Sequence, residues 1–296
     1  RGFNGMTAFM TACSNGQKGI VKLLLAHSEI IDLNARTNNG GTALMIGCQR
    51  GQQGVVQLLL DNSDKDLNVR DNYGWTPFMW ACINGHKDVV KFLLNHSERI
   101  ELNARDITGM TAFFKMACTN GYKDIVRLLL HHSDRIDLNA RDNTGITAFM
   151  TACSNGQIDV VKLLLDHSER IDLNAKDTHG LTALMIACQN GHKDVVQWLL
   201  EHSERIELNA RANNGWTAFM TACFTGHKDI VQLLLDNSER IELNARANTG
   251  YTALILAGWE GHKDIVKLLL EHSDIDISGY EDLPQEMVDF RESYQL

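Results

Sequence analysis

Proline is almost missing from this chain, with 2 residues in 296 beside 23 glycines. That composition excludes collagen-like and Pro-rich linker chains. No apolar run approaches the ~18 residues of a membrane span, so no membrane insertion is expected. The chain opens Arg1-Gly2-Phe3-Asn4, without a Met or an apolar signal segment, and reads as a monomer or a fragment of a larger chain. Among 7 Cys and 12 His there is no Cys-x-x-Cys and no His-x-x-x-His pair, so no metal site is expected. A glycine-rich phosphate loop and a nucleophile signature are also missing. We therefore expect no enzyme, no catalytic residue and no cofactor. The formal charge of −9 comes without a basic stripe, which argues against nucleic-acid binding.

What is present is repetition. Hydrophobic residues make up 44% and charged residues 22% of the chain, a globular balance that excludes wholesale disorder. A length prior of roughly 150 residues per domain suggests two domains, but periodicity overrides it. A Gly-x-Thr step recurs at Gly5, Gly40, Gly74, Gly109, Gly145, Gly180, Gly215 and Gly250. The cysteines keep the same phase at Cys13, Cys48, Cys82, Cys118, Cys153, Cys188 and Cys223. Eight copies of 34–36 residues thus cover 1–273. Each is too small to bury its own apolar face and must stack on its neighbours.

The fifth copy shows the unit. Asp142-Asn143-Thr144-Gly145 is turn chemistry, and Thr147 is a helix N-cap. Ala148–Cys153 reads as a short first helix, ended by Asn155-Gly156. Asp159–His167 reads as a second helix, apolar over most of its girth. Ser168-Glu169-Arg170 leaves it, and Ile171–Asn174 is expected to run extended into the next turn. The result is an all-α solenoid of stacked helix-turn-helix units with β-hairpin-like turns.

These residues resemble the ankyrin repeat. The third copy carries the pattern most fully, as Asp71-Asn72-Tyr73-Gly74-Trp75-Thr76-Pro77-Phe78, Ala81-Cys82, Gly85-His86, Val89-Val90 and Leu93-Leu94. The family's Pro is kept only at Pro77, a helix N1 position that tolerates it. Its His is Met at Met10, Met45, Met79, Met150, Met185 and Met220, which is expected to forfeit a side-chain hydrogen bond and gain a pliable apolar contact. The fourth copy has one extra residue within Thr111–Cys118, which predicts a single-turn π-bulge near Phe114–Met116. Beyond the repeats, 274–296 is an acidic segment holding −6 of the net charge. Within it Met287, Phe290 and Tyr294 suggest a short capping helix.

The cysteines fall in one small-residue slot of the first helix and are expected to be buried packing thiols about 10 Å apart, beyond disulfide reach. Free thiols point to a cytoplasmic or otherwise intracellular setting. His86, His192, His227 and His262, with those ending the second helices, are expected to be structural. The resemblance implies a non-catalytic protein-interaction scaffold that binds a protein or peptide on a concave face made by the turns and first helices. Variation between copies then marks the contact residues. Tyr73, Trp75, Trp80 and Ile83 with Met110 form one expected cluster, and Trp216, Phe224, Tyr251 and Trp259 a second, in residue types enriched at binding hot spots. Phe92 and Trp198 are assigned to packing. Two alternatives stay open. One is a structural or elastic tether within a longer array. The other, implied by the resemblance, is a substrate of an asparaginyl hydroxylase modified at Asn139, Asn174 or Asn209.

Overall fold

The computed structural model describes residues 2, 4–29, 31–62, 67–114, 122–132 and 134–277. Regular structure among them is helical throughout. The chain forms two compact units, 1–143 and 144–296, each holding four copies of the repeat. The expected π-bulge falls on 115–116 and the acidic capping helix on 278–296, both outside the described residues.

Each repeat begins with a closed turn. In the third, the Asp71 amide donates to the Trp75 carbonyl at 3.1 Å and the Gly74 amide to the Asp71 carbonyl at 3.0 Å. The turn requires glycine, because Gly74 has φ 78° and a Cβ there would lie 3.0 Å from the Asp106 backbone of the next turn. Threonine then caps the first helix. Thr76 accepts from the Met79 amide ahead of Pro77–Ile83, and Thr147 from the Met150 amide ahead of Ala148–Ser154. Each cap satisfies a backbone donor that the helix leaves bare.

One expectation about these caps needs correction. In three of the six copies methionine does not forfeit the side-chain bond, whereas for Met45, Met79 and Met220 only the threonine cap is formed. The amides of Thr7, Thr147 and Thr182 donate to the sulfurs of Met10, Met150 and Met185 at 3.5, 3.3 and 3.4 Å. The long thioether folds back over the helix start, so sulfur completes a weak capping box.

The second helices follow at Lys18–Ala26, Gln53–Asp61, Lys87–Leu94, Lys123–His131, Ile158–Leu165, Lys193–Glu201, Lys228–Leu235 and Lys263–Leu270. Most bury the positions of Val89, Val90, Leu93 and Leu94, whereas the fifth buries Val160, Val161, Leu163 and Leu164 and the first Val21 alone. Each such side chain removed from water contributes about 1.5–3 kcal/mol. The following link is not extended as expected. Ser97–Arg99, Ser168–Arg170, Ser203–Arg205 and Ser238–Arg240 form 3-10 turns, and the next residues turn again, the Ala210 amide donating to the Glu207 carbonyl at 3.2 Å.

Hydrogen bonds within each unit join one repeat to the next. Turn backbones are stitched directly, with Asn72 N donating to Asn39 O at 3.0 Å and Asn213 N to His179 O at 2.9 Å. The recurrent asparagine of the link clamps its neighbour with both ends of its amide. Asn174 Nδ2 donates to the Arg205 carbonyl at 2.9 Å, and its Oδ1 accepts from the Glu207 amide at 2.8 Å. Asn209 does the same to Arg240 and Glu242, and Asn68 to Arg99 and Glu101. The Gly-His histidines reach back instead. His86, His192, His227 and His262 place Nε2 at 2.8, 2.7, 3.0 and 2.9 Å from a carbonyl of the preceding repeat. A carbonyl only accepts, which assigns the proton to Nε2.

Two stability outcomes follow. Gly74→Ala is expected to cost about 1–3 kcal/mol in urea unfolding. Gly19→Ala, where an added methyl meets nothing within 4 Å, should be neutral or stabilise by up to about 1 kcal/mol. Asn174→Ala should lower stability by about 1 kcal/mol, and Asn174→Asp, which keeps only the acceptor, by less. A thermal melt comparing the two distinguishes a clamp from a solvated surface amide.

Candidate partner-binding surface

The residue after the turn glycine stands just before the Thr cap, at the position called N′. The fourth helical residue, N4, and the seventh lie on the helix face that turns back toward it. This local geometry decides which rings meet. In the third repeat, Trp75 at N′ packs on Trp80 at N4, with ring centroids 4.5 Å apart, and Tyr73 stands 6.4 Å from Trp75. In the seventh repeat, Trp216 meets Phe224 edge-on at 4.8 Å. In the eighth, Tyr251 meets Trp259 at 4.7 Å. The ring pairs thus form inside repeats, and the expected four-residue cluster is built from two such pairs. Tyr73 is 47% and Trp259 50% exposed. Trp75, Trp80, Ile83, Met110, Trp216, Phe224 and Tyr251 are half-buried.

Two buried carboxylates lock the pair in the third repeat. Asp71 accepts from the Tyr73 and Trp75 amides through Oδ1, both at 2.9 Å, and from Trp80 Nε1 through Oδ2 at 2.9 Å. Asp106 accepts from the Thr108 and Met110 amides through Oδ1, and from Trp75 Nε1 through Oδ2 at 3.1 Å. Each acid therefore closes its own turn and fixes an indole as well. Both indole N–H groups are committed, and the surface these rings present to solvent is apolar. Sequence reasoning passed over Asp71 and Asp106. The readable signal was an Asp four residues before Trp75 and nine before Trp80.

Cavities open beside both sets of rings. One of about 340 Å³ in the first unit is lined by Met6, Gly41, Gln49, Arg50, Tyr73 and Trp80 among others. One of about 350 Å³ in the second unit is lined by His179, Leu181, Gln189, Trp216, Phe224 and Thr225 among others. Both lie within the size range of small-ligand and side-chain pockets. On the second helices, Phe92 packs on His96 at 4.9 Å, and Trp198 stacks on His202 at 3.8 Å with Lys162 Nζ 4.4 Å from its ring. Asn174 and Asn209 are half-buried in their clamps, and Asn139 is exposed.

Among the described residues, no group of three His, Cys, Asp or Glu side chains could hold a metal ion, and no helix is long and apolar enough to cross a membrane. Cys13, Cys48, Cys82, Cys153, Cys188 and Cys223 are buried. Burial pushes the thiols of Cys48, Cys153 and Cys188 well above the ordinary value of 9.0. It does the same for Cys82 and Cys223, where a neighbouring cysteine adds to the shift. A raised folded-state pKa means that the unfolded chain releases thiol protons first as pH rises. Stability is therefore expected to be constant in this respect below about pH 8.5 and to fall above it. Urea midpoints at pH 7, 8 and 9.5 check the sign. A thiol reagent at pH 8 should label these cysteines only after denaturant is added.

A family model of ankyrin repeats in three copies matches residues 1–71, 63–142, 135–212 and 205–279. No curated protein matches the sequence.

Proposed function

The chain belongs to the ankyrin repeat family, generally a family of protein–protein interaction modules, and from that premise we propose that it is a non-catalytic scaffold. It binds a protein or peptide on the groove formed by its turns and first helices. The observation that carries this reading is the set of pre-organised aromatic pairs beside cavities, Trp75 with Trp80 and Trp216 with Phe224. Rings already held by packing and by buried acceptors lose little freedom on binding, which favours affinity. Tyr73, Ile83 and Met110 extend the first contact region, and Tyr251 and Trp259 the second. Buried thiols suit a reducing, intracellular compartment.

The tether reading draws support from the recurrence of the same clamps from copy to copy, because a repeated bond can yield one repeat at a time. Hydroxylation at Asn139, Asn174 or Asn209 is a narrower proposal. At Asn174 and Asn209 the modifying enzyme would have to draw the residue out of a two-ended clamp.

Trp75→Ala and Trp216→Ala test the scaffold reading, each checked for an unchanged melting temperature. Bait chains should lose captured partners that the wild type retains, and affinity for a purified partner should fall at least roughly tenfold, the range of a hot-spot truncation. Equal capture by wild type and both variants would favour the tether.

A further inference from the structure

Resting on the scaffold reading, we propose that the cavity at Gly41 receives an acidic side chain of a peptide partner, with Arg50 as its counter-ion. Two departures coincide in the second repeat. The N′ position, which elsewhere carries Met6, Trp75, Met110, Ile146, Leu181, Trp216 or Tyr251, is glycine here. The position just after the first helix carries Asn in the first, third, fourth, fifth and sixth copies, Thr225 in the seventh and Glu260 in the eighth, but is Arg50 here. One change opens space and the other brings a cation to its rim, and both line the same cavity of about 340 Å³.

The space does not come from a special backbone need. Gly41 donates from its amide to Thr37 Oγ1 at 2.9 Å. In the third and sixth repeats Trp75 and Leu181 make the same bond to Asp71 and Asp177 while carrying full side chains. A Cβ at Gly41 would come within 3.0 Å of Thr37 Oγ1, so a large residue fits this turn once that side chain gives way, and its absence leaves a slot between repeats walled by Tyr73 and Trp80.

Charge selects the occupant. In the turns and first helices around the slot, the other cations are engaged. Arg36 donates to the Gly40 and Arg70 carbonyls, and Arg70 pairs with Glu101 at 3.6 Å. Asp71, the cavity's acid, is occupied by three N–H donors. Arg50 is exposed, and its guanidinium makes no hydrogen bond or ion pair among the described residues. A single uncommitted cation among the described residues at the mouth of an amide-rich slot attracts a carboxylate and disfavours a basic side chain. Arg is also suited to holding a carboxylate with two parallel donors. The second unit's cavity, lined by His179 but by no Arg or Lys, lacks this selectivity.

The test is a selection of short random peptides on the full chain, followed by affinity measurements from tryptophan fluorescence. Selected peptides should be enriched in Asp or Glu, and replacing that residue by Gln or Asn should weaken binding roughly tenfold. Arg50→Gln should remove the preference for the acid over its amide. Gly41→Met, which copies the first and fourth repeats, should abolish binding. Lys193→Gln, an exposed residue on a second helix of the other unit, should leave it unchanged. If Gly41→Met fails to fold, Arg50→Gln alone decides the matter. Peptides that bind without acidic enrichment, or an acid preference that survives Arg50→Gln, overturn this inference and leave the scaffold reading standing. If no peptide is selected and Trp75→Ala and Trp216→Ala capture as wild type does, both readings fall.

Discussion

A pair of helices this short is apolar on two sides and can hide those sides only against another pair like itself. That constraint underlies the rest of the structure. Val89, Val90 and Leu93 have buried counterparts in the second and in the fourth to eighth copies because each set forms the wall on which the next repeat packs. Burial of this kind does not by itself fix how neighbours align. Alignment comes from polar groups at three heights. Turn backbones join turn to turn, Gly-His histidines bond back to the preceding repeat, and link asparagines reach forward to the next.

The same economy shapes the candidate binding surface. Asp71 and Asp106 close their turns, as the repeat requires, and their remaining oxygens hold the indoles of Trp80 and Trp75. The aromatic pair is thereby supported by groups the fold already uses. Stacking fixes most positions of every copy, so variation collects where a side chain has no neighbour to satisfy. Those positions are the N′ residue, the outward face of the first helix and the residue just past its end. Gly41 and Arg50 occupy two of them.

Much of this could be read from residue order. The repeat phase, both helices, the threonine caps, Pro77 at N1, the buried cysteines and the structural histidines all follow from local rules. The Trp75–Trp80 pair was within reach too, because a staple joins N′ to N4 whatever surrounds it, and the other two pairs join N′ to the seventh helical residue on the same face. Grouping Trp216, Phe224, Tyr251 and Trp259 as one cluster gave weight to neighbouring copies where the contacts run along a single helix. The methionine capping box was harder to foresee, since helix-cap rules are written for oxygen acceptors and Met10 reads as an apolar residue.

Sequence alone determined the class of this protein, because a period of 34–36 residues with two helical patterns admits few structures other than stacked hairpins. Tertiary structure decided what the variable residues do. Whether Trp75 is solvated, whether Asp106 has a spare oxygen, and whether Gly41 leaves an opening depend on atoms contributed by the adjacent repeat, about thirty-five positions away. The division has one physical origin. Backbone and cap preferences act over a few residues and are written locally, whereas exposure and charge pairing are set by whatever surface stacking brings alongside.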